Sequence, residues 1–280
     1  MRQPVDAASP RGKTEGDVAA PGPALAGRHA VVTGASRGIG RAIAQRLAAS
    51  GARLTLIARD AGALAAACAE IAAGGAAEAA FHVADVTDDA ATEAAFAAAR
   101  ARLGPVDILI NNAGTAESAP WDRTTPALWA AMIEANLTSV WRCTALALPG
   151  MIAGGWGRIV TVASTAGLTG YPYVAAYCAA KHGAVGLTRA LAREVAASGV
   201  TVNAVCPGYA DTDLTRRSAE TIAAKTGRSL ADARKALLAA NPMGRLIAPE
   251  EVAEAVHWLC LPASASVTGQ AIAIAGGEIA

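Results

Sequence analysis

The chain has 280 residues, which is enough for one large domain or two small ones. Its 24 basic and 23 acidic side chains give a formal net charge of +1, which excludes a general attraction to nucleic acid or to an anionic membrane. Hydrophobic residues make up 53% of the chain and charged residues 17%, so we expect a folded protein with a well-filled core.

The N-terminal 27 residues are rich in Pro, Gly and small polar side chains. This composition predicts a flexible tail over residues 1–27, with no core of its own. From residue 28 onward the pattern changes, and we see no sign of a second domain or of an internal repeat. The sequence therefore predicts one domain over residues 28–280.

Short β-branched runs alternate with longer segments rich in Ala and Leu throughout this domain. The predicted strands cover residues 29–33, 53–58, 79–84, 106–111, 157–163, 200–205 and 271–275. The predicted helices cover residues 39–50, 61–73, 88–103, 125–153, 174–198 and 249–261. Such alternation indicates βαβ units, and right-handed crossovers then give a doubly wound α/β fold with a parallel sheet. Residues 209–246 interrupt the alternation with a polar, helical-looking insertion, which we predict to be a lid.

The cysteines and histidines give no sign of a disulfide framework or a metal site. Five cysteines are widely spaced without a C-x-x-C pair, and the four histidines are scattered. We therefore predict no metal and a reducing, cytoplasmic location. No apolar run reaches the roughly 18 residues of a membrane span, and the N-terminus lacks the apolar core of a secretory signal, so we predict no membrane partner.

A glycine-rich turn follows the first predicted strand and opens the first helix, in the order Thr33-Gly34-Ala35-Ser36-Arg37-Gly38-Ile39-Gly40. Glycines here permit a tight turn and a close approach of backbone to a diphosphate, which the N–H groups of the helix N-terminus would bind. The spacing G-x-x-x-G-x-G in this position predicts a dinucleotide site, whereas an incidental loop is the alternative.

The end of the second strand bears on the choice of dinucleotide. An acidic residue there would bind a free ribose 2′-hydroxyl, but the strand ends in Arg59, with Asp60 one place further on. Arg37 is a second cation within reach. Two guanidinium groups suit a 2′-phosphate, so the sequence favours NADP(H). The alternative is NAD(H), with Asp60 on the ribose and both arginines exposed to solvent.

Three positions predict acid–base chemistry beside this cofactor. Tyr177 and Lys181 are four residues apart in a predicted helix and so share a face. An ammonium group, together with a cationic nicotinamide ring, would lower the pKa of the phenol and make it a general acid–base. Ser164 follows an apolar strand at the sheet edge where ligands bind, and its hydroxyl could polarise a carbonyl group.

In these features the sequence resembles the short-chain dehydrogenase/reductase family from about residue 25 to the end of the chain. The motifs that carry the resemblance appear in the family's order: TGASRGIG (Thr33–Gly40), Asp85-Val86, NNAG (Asn111–Gly114), Asn136, Ser164, YCAAK (Tyr177–Lys181), Asn203, Cys206-Pro207-Gly208, Thr268-Gly269-Gln270 and Gly276-Gly277. The resemblance implies a Rossmann-like sheet of seven parallel strands and a homotetramer.

The resemblance also implies roles for individual residues. Tyr177 would donate the proton, Lys181 would bind the nicotinamide ribose and lower the phenol pKa, Ser164 would position the carbonyl, and Asn136 would hold a water in a proton relay. Asp85 would contact the adenine, and Asn112 would border the adenosine ribose. The implied cofactor contacts are Gly34, Ser36, Arg37, Gly38, Ile39, Gly40, Arg59, Asp85, Val86, Asn112, Ala113, Gly114, Tyr177, Lys181, Pro207 and Gly208.

The substrate stays open at this point. The first hypothesis is a reductase of 3-oxoacyl thioesters, on CoA or a carrier protein, or of related β-keto compounds. The second is a dehydrogenase of another secondary alcohol, such as a hydroxy acid, polyol or cyclic alcohol. The third is a non-catalytic dinucleotide-binding module, against which the intact set of Asn136, Ser164, Tyr177 and Lys181 argues.

Two features bear on the substrate. Relatives that act on carrier proteins have cations on the turn before the fifth strand, whereas this turn reads Ala153-Gly154-Gly155-Trp156, and Arg193 remains on the following helix. The lid is longer than in those relatives and resembles that of 3-hydroxyacid and 3-hydroxyacyl-CoA dehydrogenases. Its cations could meet CoA phosphates or a carboxylate, or could form an ordinary solvated face; they are Arg216, Arg217, Lys225, Arg228, Arg234 and Lys235.

Overall fold

The structure, a computed structural model, describes residues 23–74 and 78–279. Its strands are β1 (His29–Thr33), β2 (Arg53–Ala58), β3 (Ala79–Val83), β4 (Ile108–Asn111), β5 (Gly157–Val162), β6 (Val200–Pro207) and β7 (Ala271–Ile274). All pairings are parallel, and they form one sheet in the order β3-β2-β1-β4-β5-β6-β7. The predicted doubly wound, Rossmann-like sheet of seven parallel strands is therefore confirmed.

The helices that connect the strands cover both faces of the sheet. They are α1 (Gly38–Ala49), α2 (Ala61–Ala73), α3 (Asp89–Leu103), α4 (Pro126–Ile133), α5 (Ser139–Ala153), α6 (Ala175–Val195), α7 (Asp213–Thr226), α8 (Leu230–Leu238) and α9 (Pro249–Cys260). The single helix predicted over residues 125–153 is divided, because a π-helical turn, Glu134–Thr138, joins α4 to α5. Helices α7 and α8 occupy the region predicted to be a lid.

Neighbouring residues of one strand pack into different cores, as expected for a sheet covered on both sides. Val32 belongs to the core that also contains Leu47 of α1, whereas Val31 belongs to the core that contains Phe96 of α3. All four of these side chains are fully buried. At about 1.5–3 kcal/mol for each large buried side chain, these two cores are the main source of stability.

The domain begins earlier than the sequence predicts. Residues 1–22 of the predicted tail lie outside the described residues, but residues 23–27 pack on the domain. Leu25 is completely buried in the core beside α1, and its N–H donates to the carbonyl of Ser50 at 2.9 Å. One apolar side chain in a Pro- and Gly-rich stretch gives too weak a pattern to reveal this contact.

The strand order places the ligand site. Strand β1 pairs with β2 on one side and with β4 on the other, so the chain reverses its direction across the sheet between β3 and β4. At such a reversal the loops after neighbouring strands diverge and leave a crevice at the carboxyl edge of the sheet. In the described part of the chain, no helix is long and apolar enough to cross a membrane.

Candidate active site

A cleft of about 1320 Å³ lies at this carboxyl edge. Every site residue that the sequence predicted lines it, from the glycine-rich turn after β1 to Tyr177 and Lys181 on α6 and Gly208 after β6. The lid contributes residues of α7 and α8 to the same cleft, among them Arg216, Arg217 and Arg234. Among the described residues there is no group of three or more His, Cys, Asp or Glu side chains that could hold a metal ion.

The glycine-rich turn has the close backbone packing that its sequence predicted. Gly34 has a φ of +64°, a conformation that side-chain-bearing residues rarely adopt. A Cβ at residue 40 would collide with the carbonyl oxygen of Gly34 and with the amide nitrogen of Asn112. The turn therefore packs closely on the protein and leaves the N-terminus of α1 lining the cleft, which suits a diphosphate.

Thr33 and Asn112 fix this turn against the loop after β4. Asn112 donates through Nδ2 to the carbonyls of Thr33 and Gly34, at 3.0 and 3.1 Å. The Thr33 hydroxyl accepts hydrogen bonds from the N–H groups of Asn112 and Ala113, at 3.0 and 3.1 Å. The sequence placed Asn112 beside the ribose and gave Thr33 no role. Both hold the shape of the turn, which only the pairing of β1 with β4 reveals.

The groups expected to select the dinucleotide lie together at one end of the cleft. Arg59 forms an ion pair with Asp85 at 3.5 Å, and Arg37 lies 3.4 Å from Asp213 of α7. Asp60 caps helix α2 by accepting the N–H of Ala63 at 3.0 Å, so its carboxylate already has a structural task. The two guanidinium groups line the cleft and remain largely exposed.

Asp85 is held as a carboxylate in this position. Partial burial raises its pKa, but hydrogen bonds from the N–H and hydroxyl of Thr87 and the charge of Arg59 outweigh burial, so the pKa is lowered. Behind it, Arg142 donates to the carbonyl of Val86 at 2.6 Å and pairs with Asp89 and Glu134. No sequence motif indicates this structural role of Arg142, whose contacts join the loop after β3 to the π-helical turn.

Asn136 lies within that π-helical turn and is completely buried. Its amide nitrogen donates to the carbonyls of Thr115 and Met132, at 2.9 and 3.0 Å, and its oxygen accepts the N–H of Thr115 at 3.2 Å. A Cβ at Gly114 would lie 2.6 Å from this oxygen and 3.7 Å from the Nζ atom of Lys181. The amide of Asn136 and the ammonium group of Lys181 therefore both lie next to Gly114.

Tyr177 and Ser164 meet across the cleft. Ser164 follows β5 and accepts the N–H of Ala166 at 3.1 Å. Desolvation raises the pKa of Tyr177 to about 12, and the nearby hydroxyl of Ser164 only partly offsets this effect. The lowered pKa predicted from the sequence depends on the charge of a bound nicotinamide ring as well as on Lys181 and stays a prediction, whereas burial of the phenol acts in the opposite direction.

Lys181 lies beneath Tyr177 rather than against its hydroxyl. Its Nζ atom is 5.7 Å from the centre of the tyrosine ring and donates to the carbonyl of Val162 at 3.0 Å. Only 5% of Lys181 is exposed, and burial lowers its pKa to about 8. Lys181 therefore lines the cleft, and its charged form is less favoured there than it is in water.

Two further tyrosines line the cleft and had no role in the sequence analysis. Tyr171 donates to a carboxylate oxygen of Glu278, and its phenol oxygen lies 2.9 Å from Oγ1 of Thr165. Tyr209 follows β6 and lines the same cleft. Glu278 is close to the end of the chain, far from either tyrosine in sequence, so no local motif indicates this cluster.

The chain was compared with known proteins. A family model described as short chain dehydrogenase matches residues 28–223. The D-beta-hydroxybutyrate dehydrogenase of Cupriavidus necator is 42% identical over 258 residues, which cover 91% of this chain and 99% of that protein. The 3-oxoacyl-acyl-carrier-protein reductase FabG of Escherichia coli is 39% identical over 251 residues, which cover 90% of this chain and 97% of that protein.

A solved structure agrees with these matches. A crystal structure of a variant of actinorhodin polyketide ketoreductase with NADPH superposes with a TM-score of 0.86 at 41% identity, covering 90% of this chain and 97% of that one. The family model spans well over half of the chain, and relatives near 40% identity span almost all of it. The chain therefore belongs to the short-chain dehydrogenase family and is an oxidoreductase acting on carbonyl and hydroxyl groups.

Proposed function

We propose that this enzyme is an NADP(H)-dependent reductase that interconverts a 3-oxoacyl thioester, or a related β-keto compound, and the corresponding secondary alcohol. The observation that carries the proposal is the convergence of Ser164, Tyr177 and Lys181 on one cleft with the glycine-rich turn. Relatives with reductase names, and the ketoreductase crystallised with NADPH, support this reading.

The residues present fit a phosphorylated dinucleotide. The turn has no room for a Cβ at Gly34 or Gly40, and this close packing leaves the N-terminus of α1 lining the cleft. Arg37 and Arg59 would hold the 2′-phosphate, because both line the cleft while Asp60 is engaged as the cap of α2. The remaining contacts along the cleft would be the predicted residues Ser36, Gly38, Ile39, Asp85, Val86, Asn112, Ala113, Gly114, Pro207 and Gly208.

When bound, the nicotinamide supplies or accepts the hydride. Tyr177 donates the proton to the developing alkoxide, a task for which a protonated phenol is the required form in the direction of reduction. Ser164 donates a hydrogen bond to the substrate carbonyl oxygen and so stabilises the charge that develops there. Lys181 would hold the nicotinamide ribose, and Asn136 would hold a water in a proton relay with Lys181, since both side chains lie next to Gly114.

The second candidate is a dehydrogenase of a 3-hydroxy acid. The D-beta-hydroxybutyrate dehydrogenase among the relatives favours it, and so do the lid cations Arg217 and Arg234, which line the cleft and could bind a carboxylate. The two functions share the catalytic residues and differ in the group attached to the reacting carbon chain, so a substrate panel separates them.

The decisive experiment follows NADPH absorbance with acetoacetyl-CoA, acetoacetate, simple ketones and cyclic ketones, and repeats the best substrate with NADH. We expect acetoacetyl-CoA and NADPH to give the highest kcat/KM. Tyr177→Phe should bind NADPH normally and lose most of the turnover. A preference for NADH, or near-normal kcat in Tyr177→Phe, contradicts the proposal; cofactor binding without turnover on any substrate indicates a non-catalytic module.

We further propose a homotetramer located in the cytoplasm. The outer face of α5 exposes Trp141 and Ile152, apolar groups that a subunit interface would cover. All five cysteines are free thiols, as suits a reducing compartment. Light scattering on the purified protein and fractionation of the producing cells test these two statements; a monomer, or recovery outside the cytoplasm, would contradict them.

A further inference from the structure

A hydrogen-bonded cluster near the carboxyl end of the chain lies behind the wall of the cleft that holds Tyr177. Glu278 accepts a hydrogen bond from the hydroxyl of Tyr171, which lies six positions before Tyr177. Thr165, next to Ser164, is 2.9 Å from the same phenol oxygen. Tyr171 and Thr165 line the cleft, so the carboxylate of Glu278 is one hydrogen bond away from the substrate space.

The charge of this carboxylate has little compensation. Its second oxygen, Oε2, is buried and has no hydrogen-bond donor in the described part of the chain. None of the ion pairs found among the described residues includes Glu278. A Cβ at Gly208 would lie 2.8 Å from Oε2, so glycine leaves room for the carboxylate where β6 ends.

The negative potential of Glu278 reaches the surface of the cleft. Burial raises the pKa of Tyr171, and the hydrogen bond and charge of Glu278 raise it further. Burial also raises the pKa of Tyr209, and the charge of Glu278 adds to this effect. Both phenols line the cleft, so an anion placed against them would meet a like charge in a partly dehydrated setting, where Coulomb interactions are strong.

The opposite charge lies on the lid. Arg216 is paired with Asp213 and Glu220, whereas Arg217 and Arg234 form none of the ion pairs found among the described residues and line the same cleft. The cleft thus has a negative wall beside Tyr177 and a lid whose lining has more basic than acidic side chains; these are Arg216, Arg217 and Arg234 against Asp211 and Asp213. This pattern matches a substrate that is neutral around the reacting carbonyl and carries its negative charge at the other end, as the phosphates of CoA do.

We propose that Glu278 makes the wall formed by Tyr171 and Tyr209 selective against a negative charge near the reacting carbonyl, so that neutral β-keto groups, thioesters among them, are preferred over free 3-oxo acids. This inference rests on the proposed function and names the class of substrate within it. Glu278 acts through the electrostatic field at the cleft wall and contacts the substrate space only by way of Tyr171.

The test compares two ketones that differ in charge and by one ethyl group, ethyl acetoacetate and acetoacetate, with NADPH. We expect the wild type to favour the ester by about tenfold or more in kcat/KM. Glu278→Gln keeps the shape and can still accept the hydrogen bond of Tyr171, but it removes the charge. In this variant KM for acetoacetate should fall and the ratio should approach one, while kcat for the ester stays within about twofold.

Two matched variants separate charge from structure. Tyr171→Phe removes the hydrogen bond and keeps the carboxylate, so the preference for the ester should persist. Glu194→Gln removes the same charge from the exposed C-terminal part of α6, and the ratio should not change. If Tyr171→Phe abolishes the preference as fully as Glu278→Gln does, the effect is one of positioning, and the proposal is wrong.

A binding measurement makes this inference independent of turnover. Calorimetry with ethyl 3-hydroxybutyrate and 3-hydroxybutyrate should show tighter binding of the ester to the wild type and equal binding to Glu278→Gln. If neither ketone is reduced, the proposed function fails, while the ratio of binding constants still tests the role of Glu278. Equal affinity of the wild type for ester and acid, or an unchanged ratio in Glu278→Gln, overturns the inference.

Discussion

The side-chain amide of Asn112 donates a hydrogen bond to the carbonyl oxygen of Gly34, 78 positions earlier in the chain, at 3.1 Å. The same nitrogen donates to Thr33 at 3.0 Å, so one amide on the loop after β4 satisfies two carbonyls of the glycine-rich turn. The N–H groups of Gly34 and Ala35 donate to the carbonyl of Ile57, at 2.7 and 3.4 Å, so the start of the turn is held from both sides and the N-terminus of α1 borders the cleft.

Replacement of Asn112 should therefore weaken cofactor binding more than it slows chemistry. Asn112→Ala leaves two partly buried carbonyls without a donor and frees the turn, so we expect the Kd for NADPH to rise about tenfold or more. Fluorescence titration of NADPH measures this effect. Asn112→Asp offers acceptors in place of the donor and should be at least as damaging, and an unchanged Kd in both variants would contradict this account of the turn.

Two glycine substitutions should have opposite effects on stability. In Gly40→Ala the new Cβ meets the backbone oxygen of Gly34, which cannot move without opening the turn, so we expect a loss of about 1–3 kcal/mol and of NADPH affinity. A Cβ at Gly186 of α6 has no atom within 4 Å, and alanine is the better helix former by about 1 kcal/mol. Urea unfolding of both variants checks the prediction, and a Gly40→Ala variant as stable as the wild type would contradict it.

The two arginines at the adenosine end should set the preference for the phosphorylated cofactor. A charged hydrogen bond to a phosphate contributes about 1.5–3 kcal/mol, so Arg59→Ala should lower kcat/KM for NADPH by about 10- to 100-fold. The value for NADH should stay nearly the same. Arg37→Ala should act in the same direction and also release Asp213 of the lid.

Arg193→Ala is the matched control, since it removes an exposed guanidinium from the far part of α6 and should alter neither value. Steady-state kinetics with both nucleotides give the ratio directly. Equal losses with NADPH and NADH in Arg59→Ala would show that the residue supports the fold rather than the 2′-phosphate.

The sequence predicts the parts of the site that are local. Gly34, Gly38 and Gly40 belong to one turn, and Tyr177 and Lys181 lie one helical turn apart, so spacing alone reveals them. The doubly wound parallel sheet follows from the βαβ alternation and the right-handed crossover rule. These features depend on neighbouring residues in the sequence or on the general handedness of βαβ crossovers, and they do not depend on particular tertiary contacts.

The unpredicted parts depend on contacts between distant residues. Asn112 contacts Gly34 because β4 pairs with β1 in the sheet. Glu278 contacts Tyr171 because the segment after β7 lies against the loop before α6. The π-helical turn around Asn136 has no signature in residue periodicity. Burial of Tyr177, which raises the pKa of its phenol, is likewise a property of the whole fold that spacing does not reveal.

Burial of Lys181 should make this residue a cost to stability. Its pKa is lowered from 10.5 to about 8, so between these values the unfolded chain binds more protons than the folded protein. By linkage the free energy of unfolding rises with pH across that window, and the cost of the buried ammonium is fully present below about pH 8. The lysine is retained because the site needs a cation there, which is a conflict between stability and function.

Lys181→Met should therefore unfold at higher urea concentration than the wild type at pH 7, with a gain of about 2 kcal/mol after the loss of the bond to Val162. Its turnover should fall by about 100-fold or more, since Tyr177 and the nicotinamide ribose lose their cation. The gain in stability should shrink toward pH 10, where the wild-type lysine is neutral in the folded state.

Lys225→Met on α7 is the control, because it removes an exposed ammonium group that donates to the carbonyl of Ser118. Urea unfolding curves at pH 7, 8, 9 and 10 for the three proteins give the comparison. A Lys181→Met variant that is less stable than the wild type at pH 7 would mean that the ammonium is well stabilised in the folded protein. That result would contradict the lowered pKa of Lys181.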